Sequence, residues 1–221
     1  MKKIISFIGL PASGKGTQVR VFAEMHDFDL IGMGDLIRAT LEENKNSSDP
    51  FIIEIKKRYD SGVPQPDEVA FDLLKKKLST LSKEGVVFDN FPFTVKQAEL
   101  LIEFAKANDW EMPILIHIKL DPETTIERIA HRKICPQCNR IYSKKDISVC
   151  EDCGVALVSR ADDNEDTART RIEHYVPKIN ELVNYYGQIG TILEIDGEPS
   201  IEEVTVQIEK DYDKHLKQRR N

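Results

Sequence analysis

The stretch IISFIGLPASGKGT, residues 4–17, decides the fold of this chain. Its apolar run at 4–8 predicts a strand buried on both faces, and a helical pattern starts at Lys15. Between them the sequence matches G-x-x-x-x-G-K, a loop whose successive backbone N–H groups surround a phosphate. Gly9 and Gly14 allow the turn and a close backbone approach, and Lys15 adds a point charge. The stretch predicts a phosphate-binding loop rather than a plain glycine-rich turn, because strand, loop and helix follow in the order that the motif requires.

Short β-branched runs alternate with helical patterns along the rest of the chain. The patterns predict strands at 4–8, 29–32, 86–89, 114–120 and 191–196, and helices at about 15–26, 34–45, 50–60, 66–82, 95–108, 122–132, 165–187 and 201–217. Strands that alternate with helices imply right-handed crossovers between parallel strands. The predicted fold class is therefore α/β, with a doubly wound five-stranded parallel sheet of the P-loop NTPase type.

The composition is that of an ordinary globular protein with a surplus of acids. The 221 residues are 40% hydrophobic and 31% charged, and the formal net charge is -7 at pH 7. This charge argues against non-specific binding to nucleic acid or to an anionic membrane, because both require excess Lys and Arg. No apolar run reaches about 18 residues and no secretion signal is visible. We therefore expect a cytoplasmic protein with reduced cysteines, and neither nucleic acid nor a membrane as a partner.

The run GVVFD, residues 85–89, fits the second half of a phosphate site. An apolar strand ends there in Asp89, a carboxylate that can orient water on a magnesium ion bridging the phosphates. Taken alone the pattern is weak, because many strands that pack into a core also end in aspartate. Combined with the loop, it predicts a magnesium site held through water by Asp89 and by the hydroxyl of Thr17.

All four cysteines lie within 133–160, a segment that interrupts the alternation of strands and helices. They form two pairs, Cys135-x-x-Cys138 and Cys150-x-x-Cys153, at a spacing that can close a tetrahedron of thiolates around zinc. Four thiolates leave no open position for water or substrate, so the zinc is predicted to be structural. Disulfides and a nucleic-acid-binding ribbon are the alternatives, and the missing export signal and the small excess of basic residues disfavour them.

Several blocks of the sequence resemble the adenylate kinase family, and together they span essentially the whole chain. The loop reads GKGT with Pro11 before it, so its hydroxyl comes one place later than in loops that carry Ser or Thr directly after the lysine. MGDLIR (33–38) is similar to the family's TGDxxR, SGVPQPDE (61–68) to its G-x-x-V-P-D-E, and DNFPFT…KQAE to its DGFPRT…PQAD. The cysteine segment resembles the zinc-carrying lid of the long form of the family.

The resemblance implies which residues contact the two nucleotides. ATP is expected to contact Gly9, Ala12, Ser13, Gly14, Lys15, Gly16, Thr17, Arg128, Arg132, Tyr142 and Pro199. The acceptor monophosphate is expected to contact Met33, Gly34, Arg38, Gln65, Asn90, Phe93, Gln97, Arg160 and Arg171. Phosphoryl transfer spreads negative charge that positive groups must stabilise. Catalytic roles are therefore implied for Lys15, Arg128, Arg132, Arg160 and Arg171.

The resemblance also implies three functional parts. The core P-loop domain would comprise 1–31, 66–132 and 161–221, the helical NMP-binding insertion 32–65, and the zinc-ribbon lid 133–160. The implied reaction transfers the γ-phosphoryl group of Mg-ATP to AMP in a monomer, giving two ADP. A small-molecule kinase built on the same phosphate loop is disfavoured, because the zinc lid and Gln97 belong to nucleotide kinases.

Four positions of the acceptor site depart from the family pattern: Met33, Gln65, Asn90 and Phe93. The resemblance places an arginine on the acceptor phosphate at position 93, and phenylalanine supplies no charge there. Losing a charge-assisted contact of this kind costs about 1.5–3 kcal/mol. The chain is either a kinase with slower transfer or another acceptor, or an ATP-binding protein that has lost efficient transfer. The bases considered as compensating residues are Lys56, Lys57, Arg58 and Lys96.

Overall fold

The computed structural model describes residues 1–60, 65–138, 140–142, 146–159 and 165–219. Its main sheet contains β1 (Lys3–Gly9), β2 (Asp29–Gly32), β3 (Gly85–Asp89), β4 (Ile114–Lys119) and β7 (Ile192–Asp196). The helices are α1 (Lys15–Met25), α2 (Met33–Glu43), α3 (Pro50–Asp60), α4 (Asp67–Leu78), α5 (Val95–Ala107), α6 (Pro122–Ala130), α7 (Glu165–Gln188) and α8 (Ile201–Arg219). The cysteine segment adds two short antiparallel strands, β5 (Lys133–Ile134) and β6 (Ile141–Tyr142).

The main sheet is parallel throughout, and its strands follow the order β2-β3-β1-β4-β7. In the central strand β1, Ile5 pairs with Val87 on one side and with Ile114 on the other. The carboxyl ends of parallel strands meet at one edge of a sheet, so Gly9 and Asp89 end beside each other there. This arrangement confirms the predicted five-stranded parallel sheet and places the loop at the edge where α/β proteins bind ligands.

Helices cover both faces of the sheet, as the apolar runs of the central strands predict. Ile5 and Phe7 of β1 belong to a buried cluster that also contains Phe22 of α1 and Tyr212 of α8. The alternate side chains of β1 face the opposite layer of α4, α5 and α7, where Ile4 packs with residues of α4 and α5. Doubly wound packing therefore anchors β1 and holds the loop that follows it.

Two predicted helix starts are present and position the segments around the loop. The Asp121 carboxylate accepts hydrogen bonds from the N–H groups of Glu123 at 2.8 Å and Thr124 at 3.4 Å, which caps α6. Ser200 and Glu203 form the predicted capping box: each backbone N–H donates to the other's side chain, at 3.0 and 3.3 Å. These caps fix where α6 and α8 begin.

Within the described ranges, no helix combines the length and the apolar character that a bilayer-spanning segment requires. Even α7, which has 24 residues, carries charged side chains along its length.

Candidate active site

The loop between β1 and α1 has the backbone geometry of a phosphate cradle. Gly14 caps α1 with a φ of 85°, and Ala12 adopts a φ of 61°. The Thr17 and Gln18 N–H groups donate to the Gly14 carbonyl at 3.0 and 3.1 Å, so α1 starts directly after the turn. Ser13 is buried, and its hydroxyl has no hydrogen-bond partner among the described residues. Helix N-termini leave their first N–H groups unpaired, so this loop fits the phosphates of a nucleotide.

The ammonium group of Lys15 lies 2.5 Å from Oδ1 of Asp89, which brings together the two residues predicted to serve phosphate and magnesium. The Lys15 side chain is 16% exposed and that of Asp89 is 36% exposed, so the ion pair faces a partly open cleft. α1 lies close to this carboxylate, since a Cβ at Gly16 would be in ordinary van der Waals contact with Oδ2, at 4.0 Å. Thr17 follows half-buried in the first turn of α1.

Two glycines let neighbouring backbone segments approach the loop. A Cβ on Gly9 would lie 2.6 Å from the carbonyl oxygen of Ile118 in β4. A Cβ on Gly197 would lie 2.6 Å from the carbonyl oxygen of Lys119 and 3.3 Å from that of Ser13. Gly197 also donates its N–H to Lys119 at 2.8 Å. The turn after β7 therefore rests directly on the phosphate loop.

We expect Gly197→Ala to lower the free energy of unfolding by about 1–3 kcal/mol, because the new methyl group meets backbone atoms that cannot rotate away. Urea denaturation measures the change. Gly187→Ala is the matched control: no atom lies within 4 Å of its added Cβ, and alanine in a helix should stabilise by up to about 1 kcal/mol. An unchanged unfolding midpoint for Gly197→Ala would contradict the close approach.

Arg128 extends from α6 to the same turn. Its guanidinium donates to the carbonyl oxygens of Gly197 at 3.1 Å and Glu198 at 3.3 Å, and it lies 3.7 Å from the Glu198 carboxylate. Pro199, a predicted ATP contact, follows next and is exposed. The structure thus brings Arg128 and Pro199 to one turn beside the loop.

The other donor-side arginines are placed only in part. Arg132 is 8% exposed, and its N–H donates to Ile129 at the end of α6. Arg160 lies outside the described residues. Position 171 lies on α7, but its side chain is not among those described. Their contacts with a nucleotide stay predictions.

Arg38, the predicted acceptor-phosphate residue, projects from α2. Its guanidinium contacts the Asp35 carboxylate at 2.5 Å and the Tyr59 hydroxyl at 3.5 Å, and these two partners raise its pKa. Gly34 leaves room for it, because a Cβ there would lie 3.3 Å from a guanidinium nitrogen. Met33 starts α2 and packs against the buried cluster of β3, α4 and α5.

A groove of about 480 Å³ lies between α2 and α3, with Arg38 and Tyr59 in its wall. No residue of 9–17 or 89–97 lines this groove. It is therefore separate from the Lys15–Asp89 pair, and of the predicted site residues only Arg38 lines it.

Asn90 begins the segment that leads from Asp89 to the acceptor side. Its backbone N–H donates to the Phe7 carbonyl at 3.0 Å, and its φ is 59°. Asparagine tolerates this left-handed conformation better than most residues, which explains how it can replace the family's glycine. Its buried side-chain oxygen has no hydrogen-bond partner in the described part of the chain.

Gln97 is engaged by the protein at both ends of its amide. The amide oxygen accepts the Phe93 N–H at 2.8 Å, and the amide nitrogen donates to the Asp67 carboxylate at 2.8 Å. The side chain is buried and fastens the loop containing Phe93 to the start of α4. The predicted contact between Gln97 and the acceptor base would require exchange of these hydrogen bonds, and it stays a prediction.

Gln65, on the predicted acceptor side, also uses its side-chain amide to connect two segments of the chain. Its amide nitrogen donates to the Ile55 carbonyl at 2.9 Å, and the residue is 9% exposed. Its amide oxygen is buried and has no partner among the residues described. This departure from the family pattern therefore ties residue 65 to α3.

Phe93 packs against Tyr175 of α7, with ring centroids 4.7 Å apart, and the ammonium of Lys178 lies 4.9 Å from the Phe93 centroid. Sequence reasoning missed both α7 residues. The available signal was their spacing: positions 171, 175 and 178 are separated by four and three residues, so they share one face of a helix. Sequence reasoning also missed the hydrogen bond between Gln97 and Asp67, because no sequence pattern links these two positions.

The four cysteine side chains converge in the short hairpin segment. The Sγ atoms of the four cysteines all lie within 4.8 Å of one another; these residues are Cys135, Cys138, Cys150 and Cys153. The Cys138 N–H donates to Sγ of Cys135 at 3.4 Å, so the backbone also turns toward the sulfurs. Four convergent thiols match the donor set of a structural zinc site, and the cluster is compatible with zinc.

The pKa values of these thiols shift in opposite directions. A hydrogen bond from the Tyr142 hydroxyl, 3.3 Å from Sγ, lowers the pKa of Cys150 to about 6, whereas the side-chain hydrogen bond with Cys138 raises that of Cys153. Adjacent thiolates repel one another unless a metal neutralises them. Tyr142 is buried in the small core of the cysteine segment, and its predicted contact with ATP stays a prediction.

A phosphate loop at the carboxyl edge of a parallel sheet, with its lysine on a strand-end aspartate, is the arrangement of a P-loop nucleotide-binding protein. The chain belongs to the adenylate kinase family, since the family profile described as Adenylate kinase matches residues 7–191.

Relatives of similar length support this assignment. The chain is 33% identical over 216 residues to an adenylate kinase of Thermotoga petrophila, covering 95% of this chain and 97% of the relative. It is 36% identical over 206 residues to an adenylate kinase of Clostridium botulinum strain Langeland, covering 90% and 94% respectively. Family membership supports nucleoside monophosphate kinase activity, with ATP and a monophosphate as substrates.

Proposed function

We propose that the protein transfers the γ-phosphoryl group of Mg-ATP to a nucleoside monophosphate, with AMP as the acceptor, so that ATP and AMP give two ADP. The observation that carries the proposal is the contact between Lys15 and Asp89 at the mouth of the loop. It places the positive charge for the donor phosphates beside the carboxylate suited to magnesium.

The chemistry requires no protein nucleophile, because an oxygen of the acceptor phosphate attacks the γ-phosphorus in line and ADP leaves. Lys15 and Arg128, together with Arg132, Arg160 and Arg171, would stabilise the charge that spreads over the transferred group. Thr17 and Asp89 would hold magnesium through water, and bound magnesium neutralises part of the phosphate charge.

We assign the acceptor-binding role to 32–65 and the lid role to 133–160, with 1–31, 66–132 and 161–221 as the core. The lid would close over ATP and exclude water, which strengthens the electrostatic contacts inside the site. A zinc ion on the four cysteines would stiffen this segment. We propose that the enzyme works as a cytoplasmic monomer.

One specific observation favours a second candidate, an ATP-binding protein with altered acceptor specificity or lost transfer. Phe93 supplies no charge where the family pattern has arginine, and its ring packs on Tyr175 instead. The donor side keeps its loop, Lys15 and Asp89, so the kinase remains the better supported function.

A coupled assay of ADP release tests the proposal, using Mg-ATP with AMP, CMP, UMP, GMP and their deoxy forms. We expect turnover with AMP above that with every other acceptor. Phe93→Arg is the companion variant, and a raised AMP turnover would show that the site lacks only charge. No turnover of any acceptor, with ATP binding retained, would reject the kinase and support the second candidate.

A further inference from the structure

Lys178 presents a cation beside the acceptor side of the cleft. Its ammonium lies 4.9 Å from the centroid of the Phe93 ring, a cation–π distance, and the side chain is half-buried. Tyr175 flanks the same ring at 4.7 Å between centroids, with the planes inclined by 60°. The Phe93 ring thus contacts both the lysine and Tyr175.

The Phe93 ring lies on a loop that is fixed relative to the phosphate site. Phe93 follows Asp89 by four residues, and the Asp89 carboxylate contacts Lys15. The Gln97 amide holds the Phe93 N–H at 2.8 Å, and its other end is bonded to Asp67. The two hydrogen bonds of the Gln97 amide therefore fix the loop that carries the Phe93 ring beneath the Lys178 ammonium.

Helix α7 connects Lys178 to the phosphate loop itself. Ala12 of the loop and Ile172 of α7 pack against the same small cluster on α6 and α7. Tyr175 packs against a second cluster that contains Leu10, also in the loop. At a rise of about 1.5 Å per residue, Lys178 lies about 9 Å along the helix from Ile172. Its flexible stem keeps the ammonium within reach of a phosphate between the loop and Phe93.

Lys178 has no competing counter-ion in the part of the chain that the structure describes: no carboxylate oxygen there lies within 4.0 Å of its ammonium, and its close partner is the Phe93 ring. Two of the other candidate bases lie in different surroundings. Lys56 pairs with Asp60 at 2.5 Å, and Lys96 is exposed. A cation that rests on an aromatic face can move to an anion without first breaking an ion pair.

We propose that Lys178 binds the phosphate of the acceptor nucleotide and supplies the positive charge that position 93 lacks. This inference rests on the proposed kinase function, because it assigns a residue to the acceptor half of that site. The Phe93 ring, packed on Tyr175, holds the lysine in reach of the phosphate, and the ammonium exchanges the ring face for a phosphate oxygen. Lysine acts as a point charge, so it replaces the charge of an arginine but not its bidentate geometry.

Lys178→Met tests the assignment, because methionine keeps the stem, packs well on aromatic rings and removes the charge. We expect the KM for AMP to rise about 10- to 100-fold, the range for one lost charge-assisted contact, while the KM for ATP stays unchanged. Lys178→Arg should restore most of the AMP affinity. Lys210→Met, an exposed lysine on α8, is the matched control and should behave as wild type.

A calorimetric comparison of AMP with adenosine separates this inference from the proposed function. Wild type should bind AMP more tightly than adenosine, and Lys178→Met should reduce that preference by about 10- to 100-fold. If wild type shows no turnover but its AMP preference depends on Lys178, the kinase proposal fails and the inference stands. If wild type turns over AMP and Lys178→Met changes neither KM nor the preference, the inference is overturned alone. If wild type binds no monophosphate, both are overturned.

Discussion

Replacing Lys15 with methionine should lower kcat for ADP formation by about 10³-fold, the largest effect that we expect from any single substitution. Removal of one preorganised electrostatic donor costs about 10²–10³-fold in other enzymes. We expect the Lys15 substitution to fall at the upper end of this range. Its ammonium lies at the mouth of the loop, where negative charge would develop in the proposed transfer. Methionine keeps the length of the stem and the apolar contacts, so the loss would report the charge.

The coupled ADP assay measures this loss, and thermal unfolding checks the fold. The Lys15–Asp89 pair is partly exposed, and such pairs contribute about 1 kcal/mol or less, so the midpoint should shift by no more than about 4 °C. Lys210→Met on α8 serves as the control for removing a lysine charge. Activity of Lys15→Met within about tenfold of wild type would remove this lysine from the catalytic site.

Cys150→Ser should give the second large effect, the loss of metal from the hairpin segment together with its fold. The segment has a small core, built around the buried Cys135, Tyr142 and Cys150, and strands of only two residues. A core of this size offsets little of the entropy of ordering the segment, so we expect metal binding to supply the folding free energy. Serine at position 150 removes one of four thiolates and leaves the Tyr142 hydroxyl without its sulfur acceptor.

Metal analysis should find one zinc per wild-type chain and less than one in Cys150→Ser, and the remaining thiols of the variant should react with a thiol reagent without added chelator. Under the proposed lid role of 133–160, loss of order there should also weaken ATP binding. Val149→Ser changes the exposed neighbouring side chain and should keep the full metal content. Zinc-free wild-type protein with an ordered hairpin would contradict the prediction.

The sequence predicted the architecture well because its strongest signals are local. Apolar runs and helix caps decided the strands and helices, and the structure confirms the order of elements with ends that differ by a few residues. The phosphate loop was predictable for the same reason, since its motif needs only adjacent residues. The four cysteines were predicted as a cluster from spacing alone, and their sulfurs do converge.

The acceptor side was harder to predict, because its contacts join residues far apart in the chain. Gln97 resembled a base-reading residue, yet Asp67, thirty positions earlier, occupies one end of its amide. Lys178 is one of many lysines in an acidic chain, and only the folded position of α7 brings it to Phe93. Asn90 can replace the glycine of the family pattern because asparagine tolerates a left-handed backbone. That conformation, with a φ of 59°, is visible only in the structure.

The contact between Lys15 and Asp89 has a consequence for which ligands the site admits. An anion without a bound metal would have to displace the Asp89 carboxylate from Lys15 in order to bind at the loop. Mg-ATP would supply a new partner for each member of this ion pair: a phosphate group for Lys15 and Mg²⁺ for Asp89. With the proposed roles of Lys15 and Asp89, charge matching would select metal-bound nucleotide over free phosphate before any base is recognised.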